Sequence, residues 1–112
     1  MKPADSQTWD VLFERLRARY VENLPQRLEA LETVLGNIEA GADPSALREE
    51  LTLLAHKMVG SGKTYGFDTI SAHARILEDA LLDFSNSLEE AVHPADDLIV
   101  ACRKAISNSD AA

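Results

Sequence analysis

Residues 56–64, HKMVGSGKT, are the part of this chain best suited to phosphate chemistry. His56 could carry a phosphoryl group on its imidazole, whereas GSGKT is similar to the end of a nucleotide-binding P-loop. A P-loop has the pattern G-x-x-x-x-G-K-[ST], and Lys57 stands where its first glycine should be. The segment also follows helical sequence instead of a buried strand. We therefore interpret it as part of a helix and not as a nucleotide site.

His56 is predicted to lie on the outer face of that helix. At 100° per residue, Leu54 and Met58 each lie 200° away and belong to the inward face. Thr52, one turn earlier, and Gly60, one turn later, flank the histidine. Because glycine inside a helix costs about 1 kcal/mol relative to alanine, Gly60 suggests that the imidazole needs open space. From spacing alone, a solvated surface histidine beside a fraying helix end is an alternative.

The helices that would position His56 are indicated by apolar residues at steps of three and four. No segment shows the period-two alternation of a strand. The first helix is expected to end at Glu22 and the second at Gly41. We predict an all-α fold, an antiparallel four-helix bundle with an additional N-terminal helix, formed by residues 1–112 as a single domain. The predicted helices begin near Ser6, Pro25, Pro44, Asp68 and Pro94.

The first predicted helix carries an apolar stripe with three aromatic residues. Their helical spacing favours packing against the bundle over a ligand cage. Pro25 is expected to mark a kink or a new helix start. The stripe residues are Trp9, Leu12, Phe13, Leu16 and Tyr20.

Composition excludes several classes of function. The chain has 112 residues with 19 acidic and 11 Lys or Arg residues, giving a formal charge of −8. This charge disfavours binding to nucleic acid or anionic lipid. No apolar run approaches the roughly 20 residues needed to span a bilayer, and no signal region begins the chain, so a cytoplasmic protein is expected. Cys102, the single cysteine, is expected in the core.

The stretch AHKMVGSGKTYGF closely resembles the signature of histidine phosphotransfer (HPt) domains. That signature has His, two residues, Lys and Gly, and then, after five more residues, a second Gly preceded by an aromatic or aliphatic residue. His56, Gly60, Tyr65 and Gly66 fall into this frame. The segment SAHARILEDAL resembles the helix that follows in the family, through A-R-x-L-E at residues 74–78. The chain length and all five predicted helices also fit.

The resemblance implies a role for each matching residue. His56 would accept the phosphoryl group, and Glu78, on the neighbouring helix, would orient its ring. Gly60 would allow a partner to approach closely. Thr52 and Val59 are not part of the motif, but they flank His56 on the predicted helix, and we expect them to contact that partner.

Val59 departs from the family pattern, which most often has lysine three residues after the histidine. The cation that usually lies beside the phosphoryl group is therefore missing. Lys57 and Lys63 are the candidates to replace it. We hypothesise that Lys63 supplies the charge and that the helix end bends around Gly60 and Gly62 to bring it nearer.

The resemblance further implies a phosphorelay intermediate of two-component signalling. Such a protein exchanges a phosphoryl group with receiver-domain aspartates of response regulators, and a hybrid histidine kinase is a further candidate partner. The receiver would contribute Mg²⁺, whereas this chain would bind no cofactor, have no ATP site and not act as an independent enzyme. We expect a monomer with a small, transient interface. The starting Met1 and the compact length favour a free-standing protein.

The sequence leaves two alternatives to a phosphorelay, a binding scaffold and a metal site. A non-catalytic scaffold or binding module with an HPt-like fold is favoured by Val59 and opposed by the intact His56. A metal site formed by His56, His73 and His93 is disfavoured because no two of them are four residues apart on one helix. Structural histidines at the surface or half-buried explain His73 and His93 better, so no metal is expected.

Overall fold

The structure, a computed structural model, describes the backbone of residues 3–111 and the side chains of residues 8–109. Within these limits the chain is helical, with no strand, so the predicted all-α bundle is confirmed. Consecutive helices run antiparallel, and α1 and α4 close the bundle. The elements are α1 (Pro3–Glu39), α2 (Pro44–Thr64), α3 (Asp68–Leu82), a 3₁₀ helix (Leu88–Ala91) and α4 (Val92–Ala111).

The predicted additional N-terminal helix is not a separate element. It forms one continuous helix of 37 residues with the next predicted helix, and Pro25 lies inside it. Proline within a helix removes one backbone hydrogen bond and costs about 3 kcal/mol. Here Pro25 is exposed, while the apolar stripe beside it continues past it without a break. Burial of that stripe outweighs the local cost. Its buried members are Tyr20, Leu24, Leu28, Leu31 and Val34.

Two glycines end the first two helices in the same way. Gly41 and Gly66 have φ values of 78° and 81°, a left-handed conformation that glycine adopts without strain. After α2, the Phe67 N–H donates to the Gly62 carbonyl at 2.7 Å and the Gly66 N–H to that of Lys63 at 3.3 Å. This is the Schellman arrangement, which satisfies the last carbonyls of a helix. The predicted helix end at Gly41 is confirmed.

The N-terminus of α2 is capped as its sequence predicts. Asp43 accepts a hydrogen bond from the Ser45 N–H at 3.1 Å, and Pro44 occupies the first turn. Near this end, the Arg48 guanidinium donates to the carbonyls of Leu81 and Asn86, each at 2.6 Å. Arg48 therefore joins the start of α2 to the end of α3.

The core is apolar, and no polar or charged residue in the described part of the chain is buried. The predicted inward residues of α3 and the predicted core position of Cys102 are confirmed. Over the described residues, none of the helices combines the length and the hydrophobicity needed to cross a bilayer. The buried residues of α3 are Ile70, Ala74, Leu77 and Leu81.

The first turns of α1 contradict the predicted packing of their aromatic stripe. Only Tyr20 is in the core, whereas Trp9, Leu12, Phe13 and Leu16 are exposed. The reason is the length of α1, since α2 has only 21 residues against its 37. The N-terminal turns of α1 therefore extend beyond the helices against which it packs.

Candidate functional site

His56 lies on the outer face of α2, and its side chain is 75% exposed. Leu51, Ala55 and Met58 of the same helix are buried, so the core-facing side of α2 is turned away from the imidazole. The predicted outward orientation is thus confirmed.

Glu78 of α3 fixes the orientation of the imidazole. Its Oε2 atom lies 2.6 Å from His56 Nδ1, and the carboxylate is only 12% exposed. An ionised carboxylate accepts hydrogen bonds but cannot donate them, so Nδ1 carries the proton in this contact. In the neutral ring, Nε2 then has a free lone pair. The pair offers solvent a nucleophilic nitrogen in a defined position.

The packing of α2 against α3 sets the distance between His56 and Glu78. Gly62 allows close approach, because a Cβ atom there would lie 3.1 Å from the Ser71 backbone nitrogen and 3.2 Å from the Phe67 carbonyl oxygen. The Ser71 hydroxyl donates to the Val59 carbonyl at 2.8 Å. The two helices are thereby held together one to two turns from the pair.

Gly60 has a different environment from Gly62. A Cβ atom built on Gly60 would meet nothing within 4 Å, so the fold does not require glycine at this position. The residue lies one turn after His56 and is exposed. The space beside the imidazole one turn later is therefore free of a side chain at this position.

Three cationic side chains surround this face. Lys57 and Lys63 of α2 are exposed, and neither forms an ion pair among the described residues. Arg75, which the sequence interpretation did not single out, lies one turn before Glu78 on α3 and is also exposed. Its signal in the sequence is the three-residue spacing from Glu78. The face therefore combines positive charge with one carboxylate.

Gly60 and Gly62 do not interrupt α2, so the helix end does not fold back around them. Both glycines lie within α2, which stays helical as far as Thr64. Lys63 is therefore seven residues, or about 10 Å, further along the axis than His56. It can approach a phosphoryl group only through the length of its own side chain.

Val59 is buried, with 9% of its surface exposed, and it belongs to the core. This placement contradicts its predicted role as an apolar contact with a partner. It follows from packing, since the side of α2 three residues after His56 turns towards α3. Thr52 is half-buried, and its hydroxyl donates to the Arg48 carbonyl at 2.7 Å.

An exposed apolar patch formed by Leu53, Leu82 and Phe84 adjoins the His56 face, and we call it the docking patch for the role that we propose for it. These side chains are exposed and line one groove together with Thr52 and Arg48. Leu53 lies one turn before His56, and Leu82 lies one turn after Glu78 on the antiparallel helix. The sequence interpretation missed this patch because Phe84 lies beyond the end of α3 and shows no helical period.

The remaining candidates do not come together as a site. His93 Nε2 lies 3.6 Å from Asp97 Oδ2 in a surface pair, and His73 is half-buried on α3. Among the described residues, no group of three or more His, Cys, Asp or Glu is arranged to hold a metal ion. The residues GSGKT form the end of α2, and their backbone groups hydrogen-bond within the helix instead of forming a phosphate-binding loop.

Comparison with known families gives one match. The family model described as the Hpt domain matches residues 15–112, which include all of α2, α3 and the 3₁₀ helix, most of α1, and α4. Searches of the curated proteins and of the solved structures gave no significant match. The family match covers most of the chain and contains both His56 and Glu78, and the chain therefore belongs to the Hpt domain family.

Proposed function

We propose that this protein relays phosphoryl groups between receiver domains through His56. Nε2 would accept the group from the aspartyl phosphate of one receiver and pass it to the aspartate of another. The observation that supports this most is the hydrogen bond of Nδ1 to Glu78, which leaves Nε2 free on a highly exposed side chain. Hpt domains are phosphocarrier modules of two-component signalling.

The transfer needs no base on this chain. The Nε2 lone pair attacks phosphorus, the bond from phosphorus to the aspartyl oxygen breaks, and its electron pair leaves with the receiver carboxylate. Nδ1 keeps its proton, so the phosphorylated ring carries a positive charge opposite the Glu78 carboxylate. Attack on phosphorus by a second receiver aspartate reverses these steps. The receiver would bring Mg²⁺, which neutralises charge on the transferring group.

The charges around His56 suit an acidic receiver pocket. Lys57, Lys63 and Arg75 are local exceptions to the net charge of −8. Such a positive area steers association with an acidic partner even when the whole molecule is negative.

The docking patch offers the apolar part of the same interface. A receiver that brings its aspartate to Nε2 must cover the surface within several ångströms of His56. Leu53 and Leu82 lie on its edge, and their exposure gives a partner apolar surface to bury. In our proposal, the docking patch takes the role that the sequence had suggested for Val59.

The direct test is to incubate the protein with a receiver domain that carries ³²P on its aspartate. We expect acid-labile, base-stable label on the wild type and on His93→Gln, an exposed-histidine control, but none on His56→Gln. ¹⁵N NMR of the labelled protein should locate the phosphorus on Nε2. Label on His56→Gln, or none on the wild type from any cognate receiver, would contradict the proposal.

A scaffold without phosphotransfer is the second candidate function. The observation in its favour is Val59 itself, an apolar core residue at the position where the family most often has lysine. Such a scaffold would bind receivers without becoming labelled. Measuring receiver binding by calorimetry beside the labelling experiment separates the two functions.

A further inference from the structure

The connection between α3 and the 3₁₀ helix, which we call the Phe84 loop (residues 83–87), holds one aromatic ring out in solvent. Phe84 is 78% exposed, more than any other large apolar side chain in the described part of the chain. An exposed ring on a mobile loop gives a partner little, because ordering the loop costs free energy on binding. The value of Phe84 as a contact therefore depends on what holds its loop.

Hydrogen bonds within the Phe84 loop fix its backbone. Asp83 Oδ1 accepts from the Ser85 N–H at 3.0 Å and from the Ser85 hydroxyl at 2.5 Å. The Asn86 N–H donates to the Asp83 carbonyl at 3.0 Å, and the Asn86 side-chain amide donates to the Ala80 carbonyl at 3.2 Å. The loop is thus tied both to itself and to the last turn of α3.

Arg48 of α2 holds the same loop from the neighbouring helix. Its guanidinium donates to the carbonyls of Leu81 and Asn86, each at 2.6 Å, and its Cζ atom lies 5.1 Å from the centre of the Phe84 ring. The planar, forked guanidinium group can make both hydrogen bonds while it attracts an aromatic face. Arg48 therefore fixes the backbone after Phe84 and contacts the ring itself.

We propose that Arg48 is a positioning residue, which holds Phe84 as a preformed apolar anchor for the receiver domain. The inference rests on the function proposed for His56, because that function identifies the receiver as the partner. Arg48 and Phe84 line one groove of about 490 Å³ together with Leu53 and Leu82. In this proposal, apolar side chains of the receiver enter the groove. Because the groove is formed in advance, binding does not have to order it.

The groove lies within the area that a receiver centred on His56 would cover. Arg48 is eight residues before His56, or about 12 Å along α2. Even a small interface of about 600 Å² per partner extends roughly 14 Å from its centre. Leu53 lies between these two positions on the helix, and its exposed side chain continues the apolar surface. A receiver that reaches His56 Nε2 can therefore contact Phe84 in the same complex.

Titration calorimetry with the unphosphorylated receiver domains of the labelling experiment tests the inference. We expect Phe84→Ala to weaken receiver binding about tenfold and Arg48→Met to weaken it about three- to tenfold. Introduced into Phe84→Ala, Arg48→Met should cause no further loss, because Arg48 acts through the ring. An equal loss from Arg48→Met in both backgrounds would overturn the positioning role. Unchanged binding by Phe84→Ala would overturn the whole proposal.

Two control variants change similar side chains elsewhere. Trp9→Ala removes another exposed aromatic ring, near the start of α1. Arg103→Met removes another arginine that joins two helices, through its hydrogen bond to Glu32 at 2.7 Å. Both should bind the receiver as the wild type does. Losses as large as those of Phe84→Ala and Arg48→Met would overturn a specific role for the Phe84 loop.

Relaxation of backbone ¹⁵N nuclei measures the positioning without any partner. Order parameters of residues 83–87 should be about 0.85 in the wild type and below about 0.6 in Arg48→Met. Equal values in the two proteins would overturn the role of Arg48. If Arg48→Met does not fold, Phe84→Ala still decides whether the ring is an anchor, because its exposed side chain is not needed by the core.

Failure of the inference and failure of the proposed function give different results. Label on His56 together with receiver binding that does not depend on Phe84 would overturn the inference alone. Receiver binding that is weakened in Phe84→Ala, with no label on the wild type, would support the inference and overturn the phosphorelay. No receiver binding by the wild type would overturn both.

Discussion

The bond between His56 and Glu78 gives a surface histidine one defined hydrogen-bonding state. Exposed polar contacts of this kind contribute little to stability, and in our proposal this hydrogen bond serves to orient the imidazole. Because Glu78 is mostly shielded while His56 is not, the carboxylate stays in place as the imidazole meets a partner. His56 could be predicted from its motif, and Glu78 from the family resemblance, but their 2.6 Å contact depends on helix packing that a single sequence does not reveal.

Replacing Glu78 should affect the reactivity of His56 without affecting the fold. We expect Glu78→Ala to slow phosphotransfer by about 10- to 100-fold and Glu78→Gln by less, because glutamine can still accept a hydrogen bond. ¹⁵N NMR should show both neutral tautomers of His56 in Glu78→Ala and mainly the Nδ1–H form in the wild type. An unchanged tautomer ratio would contradict this role.

Gly60 and Gly62 should respond in opposite ways to alanine. Gly60→Ala should stabilise the protein by up to about 1 kcal/mol, because the added methyl group has free space and alanine favours helix. It should also slow phosphotransfer by about tenfold, because the methyl group occupies space through which the receiver would approach His56. Gly62→Ala should destabilise by about 1 kcal/mol against the backbone of Phe67 and Ser71. Urea unfolding and transfer kinetics check both; unimpaired transfer in Gly60→Ala would refute its role.

Lys63 remains our candidate for the missing cation, although α2 continues as a regular helix to Thr64. We expect Lys63→Ala to lower the transfer rate and shorten the phosphohistidine lifetime by about three- to tenfold, since one charge near the phosphoryl group is removed. Lys104→Ala on α4 is the matched control, an exposed lysine on another helix. If Lys63→Ala behaves as the wild type does, Lys57 or Arg75 would take this role.

At the scale of elements, local signals predicted the starts of helices better than their continuity. Asp43 and Pro44 indicate the start of α2 in the sequence, because helix capping depends only on residues within the first turn. Pro25 suggested a break because the rule for proline is also local, but burial of the apolar stripe of α1 kept the helix intact. The 3₁₀ helix was not predicted, since its four residues carry no period.

The exposed end of α1 shows a second limit of sequence patterns. Periodicity identifies an apolar face but not what covers it. Trp9 and Tyr20 belong to one stripe, yet only Tyr20 lies within reach of the shorter helices. Val59 is the opposite case, because packing against α3 buries a residue whose place beside His56 in the sequence had suggested a contact with a partner.

The docking patch spans α2 and the end of α3, and it can be tested apart from chemistry. Leu82→Ser should weaken receiver binding by about three- to tenfold, because apolar surface is lost from the interface. Val100→Ser is the control, an exposed apolar residue on α4. Titration calorimetry with a receiver measures both. Equal effects of the two substitutions would rule out a specific role for the docking patch.

At the scale of the whole molecule, the buried thiol links stability to pH. Burial raises the pKa of Cys102 from 9.0 to about 11. Below pH 9 the thiol is protonated in both the folded and the unfolded state, and between pH 9 and about 11 only the unfolded state ionises. The free energy of unfolding should therefore fall by about 2 kcal/mol as pH rises through this range.

Urea unfolding at several pH values checks this expectation. Cys102→Ala should flatten the decline while lowering stability at neutral pH. Burial also raises the pKa of Tyr20, so a smaller decline should remain in the variant. Equal slopes for the wild type and Cys102→Ala would show that the thiol does not contribute.

The order of the helices along the chain has a consequence for folding. α2 and α3 are adjacent in sequence and joined by three residues, so their pairing closes a very short loop. Joining α1 to α4 brings together distant residues, such as Glu32 and Arg103, which are 71 positions apart. Local pairings form faster than distant ones. His56 and Glu78 both belong to the α2–α3 hairpin, so the reactive pair can assemble early and survive transient separation of α1 from α4.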